Sequence, residues 1–346
     1  MKTQIREDND GVAVIGAGSW GTALAEHLAR QGTAVRLWVY EPQLLAILRQ
    51  QRQNTMFLPS VPLSPTISFH GEVNEAAAGA SIVVMAVPSH VFRQVLNTLQ
   101  PTDPKKLILV SATKGIENDT LLTMEGVVRE VLGPQCPYAI LSGPSFAGEV
   151  SQAQPTVVTV ASRQRSAAKA IQQLFSSPTF RVYTTYDVTG VELGGALKNV
   201  MALGAGILEG LGLGANPRAA LITRGLAEII RLGTRLGANP MTLAGLSGLG
   251  DLVLTCTSTQ SRNYRVGVQL GSGLKLKEIL ANMKMVAEGV KTAAATHFLA
   301  QKLGVEMPIV EQVYRILYED QAPRKAVRIL MTRELKDEID AMAESW

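Results

Sequence analysis

One stretch constrains this chain more than any other: Gly11-Val12-Ala13-Val14-Ile15-Gly16-Ala17-Gly18-Ser19-Trp20-Gly21-Thr22-Ala23-Leu24-Ala25. A β-branched run ends in Gly16, and Gly16, Gly18 and Gly21 stand in the G-x-G-x-x-G spacing. Apolar residues then recur at Trp20, Ala23, Leu24 and Leu28, the rhythm of a helix with one buried face. Strand, tight turn and helix make the first half of a βαβ unit that binds a dinucleotide. Gly16 permits the turn, Gly18 lets backbone approach a pyrophosphate, and Gly21 lets the helix pack close to the strand. N–H groups at the helix start, with the macrodipole behind them, would hold the phosphate charge. With 31 glycines in the chain the bare spacing can arise by chance, so the strand–turn–helix context carries the reading.

A chain of 346 residues exceeds one small core, and two domains are expected. Hydrophobic residues at 46% and charged residues at 18% suit a packed globular enzyme and exclude broad disorder. A net charge of +4, no basic run and 5% aromatics give nucleic-acid binding little support, but leave room for a local basic pocket for a phosphorylated small molecule. Cys136 and Cys256 are far apart, with no C-x-x-C and no metal-ligand spacing, so no metal is expected and the thiols read as reduced. Met1 to Asp10 has no apolar signal region, and no uninterrupted apolar stretch reaches the roughly 18 residues of a membrane span. The most apolar region, Val200 to Ala215, is glycine-rich and interrupted by Glu209. A soluble cytoplasmic protein is the expectation.

Strand-like runs follow at 34–39, 67–69, 81–87, 107–110, 138–141, 156–160 and 180–183, with helical patterns between most of them. Pro42 opens a helix carrying Leu44, Leu45, Ile47 and Leu48, and three prolines make 54–65 an irregular loop. Runs apolar on both faces, alternating with helices, predict a parallel sheet covered on both sides. From Asp187 onward helical patterns dominate, at 219–236, 274–283 and 292–303, with Leu252-Val253-Leu254 as the single strand-like exception. The fold class is therefore α/β plus all-α. A doubly wound, Rossmann-like nucleotide-binding domain spans residues 1–186, and a helical substrate domain spans 187–346. The charged segment 326–346 reads as a helix that docks on its own domain or on another subunit, and the sequence leaves a homodimer open.

Ligands of such sheets gather beyond the carboxyl ends of the strands. Val87-Pro88-Ser89-His90, Ser111-Ala112-Thr113-Lys114-Gly115 and Ser142-Gly143-Pro144-Ser145-Phe146-Ala147 all fall there. Lys114, between a buried strand and a glycine turn, is either a solvated loop lysine or a contact for an anion or carbonyl. Gly190 to Leu203 reads as a helix despite its glycines, each of which costs about 1 kcal/mol against Ala. Close approach of backbone or ligand is the usual compensation. Lys198 lies on a small apolar face of that helix, so it either snorkels to water or is partly buried. Burial would bring its pKa into the range of a proton donor for a carbonyl/alcohol pair. Asp251, after Gly248-Leu249-Gly250, is either a helix cap or a carboxylate orienting a lysine. Ser261-Arg262-Asn263 suits a phosphate or carboxylate, or a surface turn. His27 reads as helical, His70 and His90 as loop residues and His297 as helical. No His–Asp hydride-transfer dyad, G-x-S-x-G elbow or H-E-x-x-H is present.

Five ordered blocks carry a resemblance across residues 12 to 310. They are 14–23, Ala112-Thr113-Lys114-Gly115, 142–147, Gly194-Gly195-Ala196-Leu197-Lys198-Asn199-Val200, and Gly248-Leu249-Gly250-Asp251-Leu252 with Ser261-Arg262-Asn263. With them the chain closely resembles the bacterial biosynthetic NAD(P)-dependent glycerol-3-phosphate dehydrogenases. The resemblance implies reversible reduction of dihydroxyacetone phosphate to sn-glycerol 3-phosphate, the phospholipid backbone precursor. It implies Lys198 as the proton-transferring lysine, supported by Asp251 and Lys114. It implies substrate contacts from Lys114, Gly143, Ser145, Lys198, Asp251, Ser261, Arg262 and Asn263, with Asn199 as an added hydrogen-bonding group. Cofactor contacts fall to Ser19, Trp20, Lys114, Ala147, Arg262, Val286 and Glu288, beside Gly16, Gly18 and Gly21 of the fingerprint and Tyr40 after the second strand. Glu41 lies about 20 residues beyond the fingerprint, where an acid favours NAD, whereas Arg36, Arg49 and Arg52 lie near enough in sequence to favour NADP. The cofactor is accordingly NAD(P)H with its preference open. A ketopantoate- or hydroxyacid-type reductase, which needs a carboxylate pocket, and a non-catalytic redox-sensing nucleotide binder are the alternative readings.

Overall fold

The computed structural model describes residues 11–338 apart from Thr102, Lys284, Met285 and Lys336. The reading for 1–10 lies outside the described residues, as do positions 336 and 339–346 of the C-terminal segment. The described part of 326–346 is helical only as far as Met331, where the helix Pro323–Met331 ends, so the expectation of a helix is corrected for 332–335. Eight strands, β1 Val12–Ile15, β2 Val35–Trp38, β3 Ile67–His70, β4 Ile82–Met85, β5 Ile108–Ser111, β6 Tyr138–Ser142, β7 Thr156–Ala161 and β8 Phe180–Thr185, form one sheet. Their order is β3-β2-β1-β4-β5-β6-β7-β8. The alternation along β1 shows how both faces are covered. Val12 and Val14 pack with Leu24 and Leu28 on one side, while Ala13 and Ile15 pack with Phe92 and Leu96 on the other.

The expectation of an all-parallel sheet is corrected at one step. β6 and β7 pair antiparallel, with Ser142 opposite Thr159, whereas β7 and β8 are again parallel. The cause is the connection. A parallel neighbour requires a crossover over the sheet face, but the short helix between β6 and β7, Ala147–Ser151, packs on the first helix, Ser19–Arg30. The chain therefore returns along the strand it has just left. Between β7 and β8 the helix Arg165–Phe175 does cross over. The strand order reverses at β1, which has β2 on one side and β4 on the other, and that switch point opens the ligand crevice of such sheets.

The helix Val188–Gly210 follows β8 and is the axis of the helical region. Ala215–Arg235, Asp251–Thr257, Arg262–Gly271, Glu288–Leu303 and Pro308–Tyr318 all pack on it. Asp187 caps it, its Oδ1 accepting from Gly190 N at 2.8 Å. By length and composition this helix could cross a membrane, but its apolar stretch is wholly buried in protein, so it is a core helix. Its glycines set the packing distance. A Cβ on Gly206 would overlap the Tyr264 carbonyl, and one on Gly267 would overlap the Leu203 carbonyl, so these two helices meet backbone to backbone.

Three local expectations are also corrected. Leu252 to Leu254 is helical, within Asp251–Thr257, which continues a π-helical turn at Leu246–Gly250. Three apolar residues carry no period that separates strand from helix. His70 ends β3, and His90 lies in the first turn of the helix Ser89–Thr98, so neither is a loop residue.

Candidate active site

At the glycine turn the geometry follows from the three residues that lack side chains. Gly16 has φ +117, and a Cβ there would lie 2.8 Å from the Ala86 carbonyl at the exit of β4. A Cβ on Gly21 would overlap the Gly16 carbonyl, whereas one on Gly18 would meet nothing within 4 Å. Gly18 is thus the open face of the turn. It is the N-cap of Ser19–Arg30, and no side chain caps that helix. These features fit a dinucleotide pyrophosphate held by backbone N–H groups and the helix dipole. The turn is braced by Asn54, whose Nδ2 donates to Ala17 O and to Thr22 Oγ1, both at 2.8 Å, while its Oδ1 accepts from Phe57 N at 2.9 Å. Ser19 Oγ donates to Phe57 O at 2.6 Å, closing the loop over the turn. The buried Trp20 indole N–H has no protein partner among the described residues.

Beyond β5 and β6, three elements converge. Lys114, on the segment leaving β5, donates to Asp251 Oδ2 at 2.7 Å and to Gly143 O at 3.3 Å. Lys198, on the central helix, donates to Asp251 Oδ1. Asp251 is 0% exposed and Lys198 8%, so one buried carboxylate bridges two ammonium groups. The glycines make this approach possible. A Cβ on Gly194 would lie 2.6 Å from Ser247 O, in the π-turn that delivers Asp251. A Cβ on Gly195 would lie 2.7 Å from Ser142 Oγ and 3.5 Å from the Lys114 stem. Burial pushes the Lys198 ammonium down to about 8, the Asp251 carboxylate opposing and the Lys114 ammonium adding to the fall. The cluster has the chemistry to give or take a proton near neutrality, in a site with one excess positive charge. Of the alternatives read from sequence, the structure has Lys198 buried, Asp251 bridging both lysines rather than capping, and Lys114 turned inward.

The remaining candidates divide between direct neighbours of this cluster and its supports. Gly143, at φ +145, cannot carry a side chain, since a Cβ would lie 2.9 Å from Val158 Cα. Its carbonyl accepts from Lys114 and, at 2.9 Å, from Ser145 Oγ. Ala147 begins the short helix packed on Ser19–Arg30. Asn199 Oδ1 accepts from Asn263 Nδ2 at 2.9 Å, and Asn263 Oδ1 accepts from Gly289 N at 2.9 Å. Ser261 caps Arg262–Gly271 through Tyr264 N at 3.2 Å. Arg262 donates to Val286 O at 3.2 Å, and burial lowers its pKa against the pull of Glu288. Glu288 opens its helix and accepts two bonds from Ser89. Lys114, Lys198, Asp251 and Gly143 are thus one hydrogen-bonded group. Asn199, Asn263 and the start of the Glu288 helix form a second, with Arg262 beside it.

Tyr40 joins neither group. It is 74% exposed, with its ring against Trp38. Arg49 donates to Phe69 O at 3.1 Å, and Arg52 donates to the carbonyls of Leu63, Ser64 and Ile67, so both guanidinium groups tie the loop before β3 and β3 itself. Asn54 and the pairing of Ser89 with Glu288 escaped sequence reasoning. Asn54 carries no motif, and the pair spans nearly two hundred residues.

Residues 11–168 match the family model for the NAD-dependent glycerol-3-phosphate dehydrogenase N-terminus, and residues 187–328 match that for its C-terminus. A glycerol-3-phosphate dehydrogenase, NAD(P)+, of Geobacter sulfurreducens is 55% identical over 97% of this chain and 99% of its own length. That of Syntrophobacter fumaroxidans is 54% identical over 95% of this chain and 97% of its own. The crystal structure of glycerol-3-phosphate dehydrogenase from Coxiella burnetii superposes with a TM-score of 0.90 at 42% identity, covering 94% of this chain and 99% of that one. A PanE/ApbA family ketopantoate reductase from Ralstonia eutropha, at 17% identity and a TM-score of 0.60, covers 92% of this chain and 99% of its own and shares the fold alone. The chain belongs to the NAD-dependent glycerol-3-phosphate dehydrogenase family.

Proposed function

We propose that the Lys114–Asp251–Lys198 cluster is the centre at which this protein reversibly reduces dihydroxyacetone phosphate to sn-glycerol 3-phosphate with NAD(P)H. The product supplies the glycerophospholipid backbone, in the cytoplasm. The observation that carries the reading is the single buried carboxylate of Asp251 held between two lysines, one from the sheet region and one from the helical region. The division falls near residue 187, with the nucleotide on the N-terminal side and most substrate contacts on the other.

Gly16, Gly18, Ser19, Trp20 and Gly21 would hold the dinucleotide at the switch point, and Tyr40, Ala147, Val286 and Glu288 would supply further contacts to it. When bound, the reduced nicotinamide supplies the hydride. Lys198, an ammonium below about pH 8, gives a proton to the oxygen of the substrate carbonyl as that oxygen gains charge. Asp251 fixes the Lys198 ammonium by accepting from it and steadies Lys114 by the same means. Lys114 places a second positive charge at the developing alkoxide, where a preorganised cation acts most strongly. Arg262 clamps the substrate phosphate, and Asn199 and Asn263, already bonded to each other, offer their remaining amide groups to the substrate. In the reverse direction Lys198 must start as the neutral amine and accept the alcohol proton.

Lys198→Ala is expected to abolish turnover of dihydroxyacetone phosphate while NADH still binds, and Arg262→Ala to raise KM for that substrate at least tenfold or so. Nicotinamide absorbance with NADH and NADPH in parallel, together with a direct binding titration, reads all three quantities. Near-normal turnover by the lysine variant would remove it from the mechanism. An unchanged KM in the arginine variant would move the phosphate site elsewhere.

A further inference from the structure

Ser89 and Glu288 belong to different halves of the molecule, yet they close on each other. Ser89 Oγ donates to Glu288 Oε2 at 2.5 Å, and Ser89 N donates to Glu288 Oε1 at 3.1 Å. Ser89 is buried at the start of the helix Ser89–Thr98, which has Pro88 before it and no side-chain cap of its own. Glu288 therefore supplies the acceptor that this helix start lacks, and it comes from the first turn of Glu288–Leu303. The contact has little slack, since a Cβ on Gly115 would overlap Ser89 Oγ and lie 3.5 Å from Glu288 Oε2.

The place of this contact gives it a function. The segment leaving β4 borders the glycine turn, for a Cβ on Gly16 would lie 2.8 Å from Ala86 O and 3.1 Å from the Val87 side chain. Ser89 is two residues further on, so it stands on the β4 lip of the switch-point crevice. Across that lip lie Gly115 and, next in sequence, Lys114 of the catalytic cluster. A dinucleotide whose pyrophosphate sits on the turn after β1 must extend over this lip to bring its reactive ring to Lys198. Arg262 approaches from the helical side, donating to Val286 O and drawn electrostatically to Glu288.

We propose that Ser89 is a positioning residue for the cofactor. Its two hydrogen bonds fix the Glu288 carboxylate on the β4 lip, join the helical region to the nucleotide-binding region there, and set the affinity for the nicotinamide half of the dinucleotide. This rests on the reading that Glu288 contacts the cofactor. Burial pushes the Glu288 carboxyl up while the two bonds from Ser89 pull it down, so Ser89 also favours the ionised form.

The test is a double-mutant cycle on NADH affinity, with S89A, E288Q and S89A/E288Q in the full chain, alongside KM for dihydroxyacetone phosphate and thermal unfolding. Loss of a hydrogen bond to a charged group predicts that S89A weakens NADH about tenfold or more while KM for the substrate moves less than about twofold. E288Q weakens NADH similarly, and the double variant is no weaker than E288Q alone, since both remove one contact. Wild-type NADH affinity in S89A beside a loss in E288Q overturns the role of Ser89 and leaves that of Glu288 standing. Full additivity of the two losses also overturns the proposal, because it makes Ser89 merely a helix start. Unchanged affinity in E288Q removes the Glu288 reading and the proposal with it. If S89A does not fold, E288D keeps Ser89 but withdraws the carboxyl by one methylene, and the same selective loss of NADH affinity is required of it.

Discussion

Replacing Asp251 by Asn probes the electrostatics of the cluster most directly, because the side chain keeps its size and one oxygen and loses only its charge. In the folded protein one carboxylate oxygen accepts from Lys198 and the other from Lys114 at 2.7 Å; Asp251 is fully buried and the two lysine side chains are only 10% and 16% exposed, so screening of either pair is weak. Lys198 already sits at about 8 because of burial and the neighbouring Lys114, and Asp251 is what keeps it from falling further. An opposite charge this close shifts a pKa by about one to three, so D251N should lower Lys198 by about two. At pH 7 a group at about 8 is about nine-tenths protonated, and one near 6 about one-tenth. The ammonium proposed to protonate the substrate oxygen thus becomes about tenfold scarcer, which corresponds to about 1.4 kcal/mol. Loss of its fixed orientation can cost up to about a further hundredfold. Initial rates in both directions from about pH 5 to about pH 10 provide the assay. In the wild type, kcat for reduction falls as pH rises through about 8, since that direction needs the ammonium, and kcat for oxidation rises through the same point, since that direction needs the amine. In D251N both inflections move to acid by about two pH units. An inflection that stays near 8, or a variant within about twofold of wild type at neutral pH, would refute the reasoning.

Three further perturbations separate stability from function. Glu228 accepts from Ile309 N at 2.7 Å and Val310 N at 3.2 Å at the start of Pro308–Tyr318, and burial raises its pKa from 4.5 to about 7. The folded carboxyl then keeps its proton to higher pH than the unfolded one. Its contribution is complete below about pH 4.5 and is lost as pH rises through about 7, about 3 kcal/mol in all. Urea unfolding of E228Q should show a flatter stability profile across that window. G206A places a methyl inside the Tyr264 carbonyl and should destabilise by about 3 kcal/mol. G18A adds its methyl to open space and should leave the melting temperature nearly unchanged while weakening NADH.

Much of the sheet was legible because its information is local. All eight strands stand where short apolar runs predicted them, and the glycine turn announces itself through residues whose missing side chains are the point. The direction of β7 was not legible, because it depends on where the helix 147–151 packs, which is a tertiary choice. The helix 251–257 was misread for a related reason, since the π-turn before it has no sequence period. The residues of the candidate site were readable one at a time, but their relations were not. Lys114 and Asp251 are 137 residues apart, and nothing local says that one carboxylate bridges two lysines. The surroundings of the arginines near β2 were equally hidden. Nearness in sequence placed them as candidates for a 2′-phosphate, but it did not show that Arg49 and Arg52 also donate to the backbone of β3 and the loop before it.

The glycines of Val188–Gly210 explain how one helix can be both the core of a domain and the carrier of a buried ammonium. An interior glycine weakens an isolated helix by about 1 kcal/mol against alanine, and this helix contains several. It persists because its surroundings, not its propensity, hold it. The glycines are sorted by what they admit. Towards the sheet, Gly194 and Gly195 let the π-turn, the end of β6 and the Lys114 stem reach the helix surface, so Asp251 meets Lys198 at hydrogen-bonding distance. One turn and more beyond Lys198, Gly206 and Gly210 admit the backbone of Arg262–Gly271, which brings Arg262 and Asn263 alongside. Alanine at Gly194 would favour the isolated helix, yet its methyl would stand 2.6 Å from Ser247 O and push away the element that delivers Asp251. The low helix propensity of this segment is therefore the condition for its chemistry, because only a helix that others can touch backbone to backbone can bury a lysine and its carboxylate together.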